Sequence, residues 1–280
     1  MALRERADIL LTESGLADSR SAAQRLIMAG QLRADGQRVL RPSQRLDRAC
    51  RLTLDAPAPF VSRGGEKLAA ALGCLPIEIG QRTCADIGAS TGGFTDCLLQ
   101  AGAARVYAVD VGQGILHWRL RNDPRVVVME GINARYLDLL PEPVDLVTLD
   151  LSFISLRLVL PRLPGWMRPG GDVVALVKPQ FEVGKQAVGR GGVVRGEDDR
   201  LQALLSVAEV AAALGIFPQA GLRSPLLGPK GNVEFLLWAV LGGPQIDLQL
   251  VLDGVRLAPR EEQTDDSGIL PAAGERPPGP

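Results

Sequence analysis

Apolar residues at the start of the chain recur at helical spacing and then give way to short alternating runs. Arg6-Ala7-Asp8-Ile9-Leu10-Leu11 opens one helix. The stretch from Arg20 to Met28 makes a second, with Asp18 or Ser19 placed to cap its start and Gly30 to end it. Gln31 to Val39 reads as two short strands about a glycine turn, and a third strand falls near Leu52-Thr53-Leu54. Two helices and a small sheet predict a compact α+β module over residues 1–55.

Residues 56–62 begin with Ala56-Pro57-Ala58-Pro59 and read as a stiff linker. From Ala85 to about Gly242, strand-like and helix-like stretches alternate. That order predicts an α/β domain over residues 63–245, with a mostly parallel sheet covered by helices on both faces. The pattern weakens after Gly243, and residues 256–280, with acids, glycines and five prolines, read as a disordered tail. There is no internal repeat.

A hydrophobic content of 46% in 280 residues is ample for a large domain beside a small one. The longest apolar runs, such as Val144 to Leu151, are strand-length and broken by carboxylates, so no membrane span or secretory segment is expected and the cytoplasm is the expected compartment. Cys50, Cys74, Cys84 and Cys97 match neither a zinc set nor a disulfide scaffold and read as reduced, mostly buried fillers. His117 is the single histidine, which rules out a histidine-rich metal site, and no metal is expected. Residues 1–51 carry ten arginines against six acids, a local excess that a phosphate-facing module needs.

The strongest motif is Cys84-Ala85-Asp86-Ile87-Gly88-Ala89-Ser90-Thr91-Gly92-Gly93-Phe94-Thr95, a strand end, a glycine-rich turn and a helix start. It is not a P-loop, because Phe94 stands where the phosphate-binding lysine belongs. It is not the dinucleotide fingerprint either, since Ser90 replaces the second glycine. What remains resembles the loop of Rossmann-like methyltransferases, so Asp86, Gly88, Ala89, Ser90, Thr91, Gly92, Gly93 and Phe94 are the candidate cofactor residues. Asp110 ends the next strand, at the place where this fold puts a ribose-binding carboxylate. Asn133, after a third strand, is the candidate for the adenine.

Two further strands run into charged residues: Val144 to Leu149 into Asp150, and Asp172 to Val177 into Lys178. Ligands bind at such carboxyl edges in open α/β sheets. Glu234 lies in the apolar run Gly231 to Trp238, where an unpaired carboxylate is costly, so it needs a cationic partner.

Two resemblances follow. Ser19-Arg20-Ser21, Ala23, Ile27, Gly30, Asp35-Gly36, Val39 and Pro42-Ser43 resemble the alpha-L RNA-binding module of ribosomal proteins and tyrosyl-tRNA synthetases. That likeness implies phosphate contacts for Arg20, Arg25, Arg33, Arg38 and Arg41, and Arg63 is grouped with them. The stretches Val61 to Leu68, Asp86 to Thr95, Asp150 to Ser155, Lys178 to Gly184 and Gly228 to Trp238 resemble the hemolysin-labelled TlyA family of ribosomal RNA 2′-O-methyltransferases, with a catalytic domain similar to FtsJ. The resemblance covers roughly residues 3–242. It implies S-adenosylmethionine as cofactor, cytidine in ribosomal RNA or ribosomal subunits as substrate, and Lys67, Asp150, Lys178 and Glu234 as the family's catalytic tetrad.

The chemistry asks for such groups, because a ribose hydroxyl is a poor nucleophile until its proton leaves. Lys178 is the expected base, with Lys67 beside it and the two acids orienting both ammonium groups. A second cation lowers a lysine pKa and nearby acids raise it, so which lysine is deprotonated stays open. Residues 185–195 read either as a basic loop over the site or as a plain connector. A membrane-active hemolysin lacks any spanning segment or barrel pattern here, and a pseudouridine synthase lacks its catalytic domain. A noncatalytic ribosome-binding factor fits poorly with an intact tetrad.

Overall fold

Strand β1 (Arg4–Arg6) leads straight into helix α1 (Ala7–Glu13), and the Ser19 hydroxyl caps helix α2 (Arg20–Met28) by accepting from the Ala22 amide. The computed structural model describes residues 4–56, 58–184, 187–189 and 191–257. It divides into two compact units, one ending at Pro59 and the next beginning at Phe60.

In the first unit β2 (Leu32–Ala34) pairs antiparallel with β3 (Gln37–Arg38) through Asp35 and Gly36, both with positive φ as a tight hairpin turn requires. Strand β4 (Arg45–Asp47) pairs with β1, and β5 (Leu52–Leu54) pairs with β2. Ala7, Leu11, Ala23, Ile27, Leu32 and Val39 form the core. The β1–β4 ladder was not foreseen, because three-residue strands carry no readable alternation.

The second unit opens with α3 (Gly64–Cys74), followed by β6 (Thr83–Ile87), α4 (Gly93–Gln100), β7 (Arg105–Asp110), α5 (Trp118–Arg121), β8 (Val126–Glu130) and β9 (Val144–Leu149). Then come α6 (Leu163–Trp166), β10 (Met167–Val177), α7 (Pro179–Glu182), α8 (Glu197–Ala213), β11 (Ile216–Arg223), β12 (Phe235–Leu241) and α9 (Leu248–Leu257). The seven strands lie in the order β11-β12-β10-β9-β6-β7-β8, all parallel except β12, which runs against both its neighbours. Successive strand residues feed opposite faces. Val147, Leu149, Val173 and Val177 join Leu204 and Val207 of α8 on one side. Leu146, Val174 and Leu176 join Leu68 of α3 and Leu98 of α4 on the other. The expected doubly covered, mostly parallel sheet is therefore present. Strand order reverses between β6 and β9, and the crevice at such a switch point is where open α/β sheets bind ligands.

Three boundaries differ from expectation. The stretch 56–62 is not linker throughout: Phe60 and Val61 pack on the α3–α4 side, and the Val61 amide donates to Asp96 Oδ2 at 2.9 Å. Helix α9 extends the second unit beyond residue 245, its Val251 and Val255 seated on Gly221, where no larger side chain has room. Of the expected tail, Arg256 and Leu257 belong to α9, and residues 258–280 lie outside the described residues. Among the described residues no helix is long and apolar enough to cross a membrane. Of the four cysteines only Cys84 and Cys97 are buried, and burial pushes both thiols up to about 12.

Candidate functional site

The site grows from the end of β6. Gly88 has φ +85°, and a Cβ there would come within 2.5 Å of the Asp150 carbonyl oxygen, so only glycine lets the turn lie against the end of β9. The Gly88 and Ala89 amides donate to the Val109 carbonyl, fixing the turn on β7. Gly93 is equally constrained, since a Cβ would overlap Ser62 Oγ and approach the Gly65 amide.

Asp86 is wholly buried and not among the residues lining the cleft beside the turn. Its Oδ2 accepts from the Thr95 amide at 2.9 Å and the Thr95 hydroxyl at 2.6 Å, and its Oδ1 from the Thr148 hydroxyl at 3.1 Å. It thus pins the first turn of α4 and stands apart from the direct ligands with which the sequence reading grouped it. Burial pushes this carboxyl up to about 7; the Thr95 and Thr148 hydrogen bonds oppose the rise and the nearby Asp150 charge adds to it.

Asp110, at the end of β7, accepts from the Ser90 amide at 2.8 Å and the Gly112 amide at 2.7 Å, one on each oxygen. A carboxylate has about four acceptor positions, so two remain for a ligand. Asn133 is exposed and accepts from the Arg135 amide, capping a short helical turn. Glu130, which sequence reading passed over, holds the loop after Asp110. It accepts from Arg121 and from the Gly114 and Leu116 amides, and those bonds, Arg121 first, hold its carboxyl down to about 2.

The charged wall is built from four elements. Lys178, directly after β10, places Nζ 2.6 Å from Asp150 Oδ1 and donates to Ser152 Oγ at 2.9 Å. Lys67, on α3, places Nζ 2.5 Å from Glu234 Oε2. Glu234 precedes β12 by one residue where the strand itself was expected; it is 0% exposed, and Lys67 is the cationic partner its burial demanded. Among the described residues its Oε1 has no hydrogen-bond donor, and Gly228 lies so close that any side chain there would overlap it. Both pairs face one cleft of about 380 Å³, whose walls also include Ser62, Arg63, Phe94 and the residues Gly88 to Thr91.

Residues 60–241 match the model of the FtsJ-like methyltransferases and residues 5–49 that of the S4 domain. A protein from Mycobacterium tuberculosis named 16S/23S rRNA (cytidine-2′-O)-methyltransferase TlyA is 51% identical over 85% of this chain and 90% of its own length. The chain belongs to the TlyA family. Hemolysin A of Brachyspira hyodysenteriae is 36% identical over 82% of this chain and 98% of its own length. Among solved structures, a hemolysin-named chain from Streptococcus thermophilus has a TM-score of 0.70 at 40% identity, covering 91% of this chain and 96% of that one.

The remaining residues implied by the family resemblance divide by what already holds them. Arg25, Arg38 and Arg41 are exposed on the first unit, and Arg63 is exposed on the cleft wall at the start of α3. Arg20 is tied to Asp8 at 3.0 Å while more than half its side chain stays exposed. Arg33 is spent differently, since its Nε donates to both Asp55 oxygens and Nη1 to the Gly36 carbonyl. It braces the β2–β5 edge. In residues 185–195, Lys185, Gln186 and Arg190 lie outside the described residues. The described part is anchored, with Asn232 accepting from the Val194 amide and donating to the Gly192 carbonyl. His117 caps α5 by accepting from the Arg119 amide.

Proposed function

We propose that the chain is an S-adenosylmethionine-dependent RNA methyltransferase that modifies the 2′-hydroxyl of cytidine in ribosomal RNA. The observation that carries this reading is the convergence of the Lys178–Asp150 and Lys67–Glu234 pairs on one cleft beside the Gly88 turn. The substrate class follows from the name of the 51% identical relative, and the S4 match supports RNA as the partner of the first unit.

The residues present fit the cofactor. Gly88, by letting the turn lie against the end of β9, puts Gly88 to Thr91 on the cleft wall, and Asp110 retains acceptor capacity for two ribose hydroxyls. Gly88 to Thr91, Gly93 and Phe94 on the cleft wall would hold it, with Gly92 shaping the turn through its φ of +98°. Asp110, which ends the next strand, and Asn133, which follows the one after it, do not line the cleft itself and would take the ribose and the adenine. When bound, S-adenosylmethionine supplies a sulfonium-linked methyl group open to displacement.

Within the chain, Asp150 and Ser152 fix the direction of Lys178 Nζ. As the free amine, Nζ takes the proton of the 2′-hydroxyl and keeps it beside Asp150, leaving the ribose oxygen nucleophilic. Lys67, anchored by Glu234, lines the same cleft and positions the substrate. Phe153, 91% exposed and backed by the Phe181 ring at 5.4 Å, offers a flat apolar face of the kind on which nucleobases stack.

Purified protein, ribosomal subunits and S-adenosylmethionine, followed by nucleoside mass spectrometry, test the reading. The expected product is 2′-O-methylcytidine. A base-methylated nucleoside, or no methylated product with either subunit, overturns it.

A further inference from the structure

The segment that runs from Asp150 to Arg157 leaves the sheet at the end of β9, and the segment from Lys178 to Glu182 leaves it at the end of β10. Each brings one partner of the 2.6 Å Asp150–Lys178 pair. The β9–β10 ladder fixes their starting points as far as Leu149 and Ala175, and the Asp150 amide donates to the Ile87 carbonyl; beyond that, the two loops are joined through side chains.

Glu182 supplies that tie. It is 6% exposed, at the end of α7 and four residues beyond Lys178. Its Oε1 accepts from the Leu156 amide at 2.8 Å, and its Oε2 accepts from the Ser155 hydroxyl at 2.5 Å, with Arg157 Nε 3.4 Å away. Its main-chain carbonyl accepts from Arg157 Nη2 at 3.0 Å. Every donor in this set belongs to the loop that carries Asp150 and Ser152. A carboxylate taken this far out of water needs such a set, because a buried unpaired charge is costly. Two acceptor oxygens and no proton suit an amide, a hydroxyl and a guanidinium arriving together. The Phe153–Phe181 contact links the same two loops on their outer side but has no directional bonds.

We infer that Glu182 is a positioning residue for methyl transfer: it fixes the 150–157 loop so that Asp150 Oδ1 and Ser152 Oγ stay on Lys178 Nζ. This rests on the reading of Lys178 as the base. The cofactor turn keeps its own bonds to Val109, Asp110 and Asp86 on other strands when the tie is lost, and it meets the loop at its base, where Gly88 lies against the Asp150 carbonyl and the Asp150 amide donates to the Ile87 carbonyl. The rate of the proton-transfer step falls while binding of both substrates persists.

The test uses the full chain with Glu182→Ala and Glu182→Gln, measuring kcat and KM on ribosomal subunits, calorimetric affinity for S-adenosylmethionine, and thermal melting. Glu182→Ala should lower kcat by roughly 10- to 100-fold, within the share of general acid-base catalysis, with KM and cofactor affinity within about 2-fold. Glu182→Gln keeps the Leu156 bond through its carbonyl and can donate to Ser155, so it should restore kcat to within a few-fold of wild type. Where Glu182→Ala fails to fold, Ser155→Ala, which removes one donor to Glu182 together with the Ser155 Oγ bonds from the Arg157 amide and Nε, should lower kcat several-fold with the same unchanged affinities. Unchanged kcat in the folded Ala variant, a Gln variant as impaired as Ala, or a loss confined to cofactor affinity each overturns the inference. If wild type itself makes no 2′-O-methylcytidine, the functional reading fails; if wild type is active and Glu182→Ala matches it, only the role of Glu182 fails.

Discussion

Asp8 in the first unit and Glu234 in the second are both wholly buried carboxylates, and they are finished differently. Asp8 spends both oxygens: Arg6 takes them in a fork, and Arg20 and Gln24 add bonds to Oδ2. The Arg6 hydrogen bonds, with Gln24 and Arg20 behind them, hold its carboxyl well below the usual carboxylate range against the opposing effect of burial. Glu234 satisfies one oxygen with Lys67 and leaves the other without a donor among the described residues, next to a cleft. Buried polar groups are nearly always paired, so an orphan at a pocket wall marks a place where the chain is shaped for something other than its own stability. The first unit closes its charges inward and presents arginines outward. At the cleft of the second unit, the Lys67–Glu234 and Lys178–Asp150 pairs are left poised.

The contrast predicts that changes at the poised charges cost rate and changes at the closed ones cost stability. The largest effect is expected at Lys178, where replacement by Ala should slow single-turnover methylation by about 10²–10⁴-fold without altering folding or cofactor affinity. Lys178→Arg should be nearly as slow, because a guanidinium is not deprotonated in proteins. Substantial activity in the Arg variant across pH 6 to 10 would move the role of base to Lys67.

Asp8→Ala is the opposite case. Removing the carboxylate strands Arg6 and Arg20 around a buried hole, and the expected loss is about 2–3 kcal/mol of stability, reduced from the cost of a fully buried pair because both arginines reach solvent. The melting of an excised residue 4–56 fragment is not the measurement; thermal unfolding of the whole chain with cofactor binding followed in parallel is. Cofactor affinity should be unchanged, and a variant that keeps wild-type melting breaks the comparison.

Asp110 lies between these extremes, half structural and half open. Asp110→Ala should weaken S-adenosylmethionine by about 2 kcal/mol, the value of lost hydrogen bonds to a charged acceptor. Calorimetry checks it, and unchanged affinity removes Asp110 from the cofactor site.

How much of this could be read beforehand follows the same division. Asp150 and Lys178 were legible because a charge directly after a buried apolar strand breaks the pattern, and the Gly88 turn because glycines cluster there. The demand for a cation at Glu234 was legible too, and Lys67 met it across 167 residues. Glu130, Glu182 and Asp8 were not singled out, since a single acid near the end of an element looks solvated until its donors arrive from elsewhere in the fold, as the Ser155 hydroxyl does for Glu182. Arg33 failed in the reverse direction, reading as a free cation while Asp55 holds it. Asp86 was placed in the right motif with its side chain on the wrong side of it, because alternation along a five-residue strand buried on both faces leaves no polar face to point to.

Asp86 also provides the smallest and most discriminating effect. Its carboxyl is pushed up to about 7, so between the ordinary value of 3.8 and that point the folded chain holds a proton that the unfolded chain has released. Stability therefore falls as pH rises through this window, the reverse of a salt-bridged acid. Between pH 6 and 8 the fall due to this group is about 1 kcal/mol. Asp86→Asn should flatten that part of the pH–stability curve, because the amide oxygen can accept from the Thr95 amide while its NH₂ donates to the Thr148 hydroxyl, with no charge left to desolvate. Denaturant unfolding at pH 6 and pH 8 for both proteins measures it as a difference of differences, which cancels every group the two share. If wild type and Asp86→Asn lose the same stability over that interval, the carboxyl is ionised throughout and Asp86 belongs with Asp8, among the charges the fold has closed.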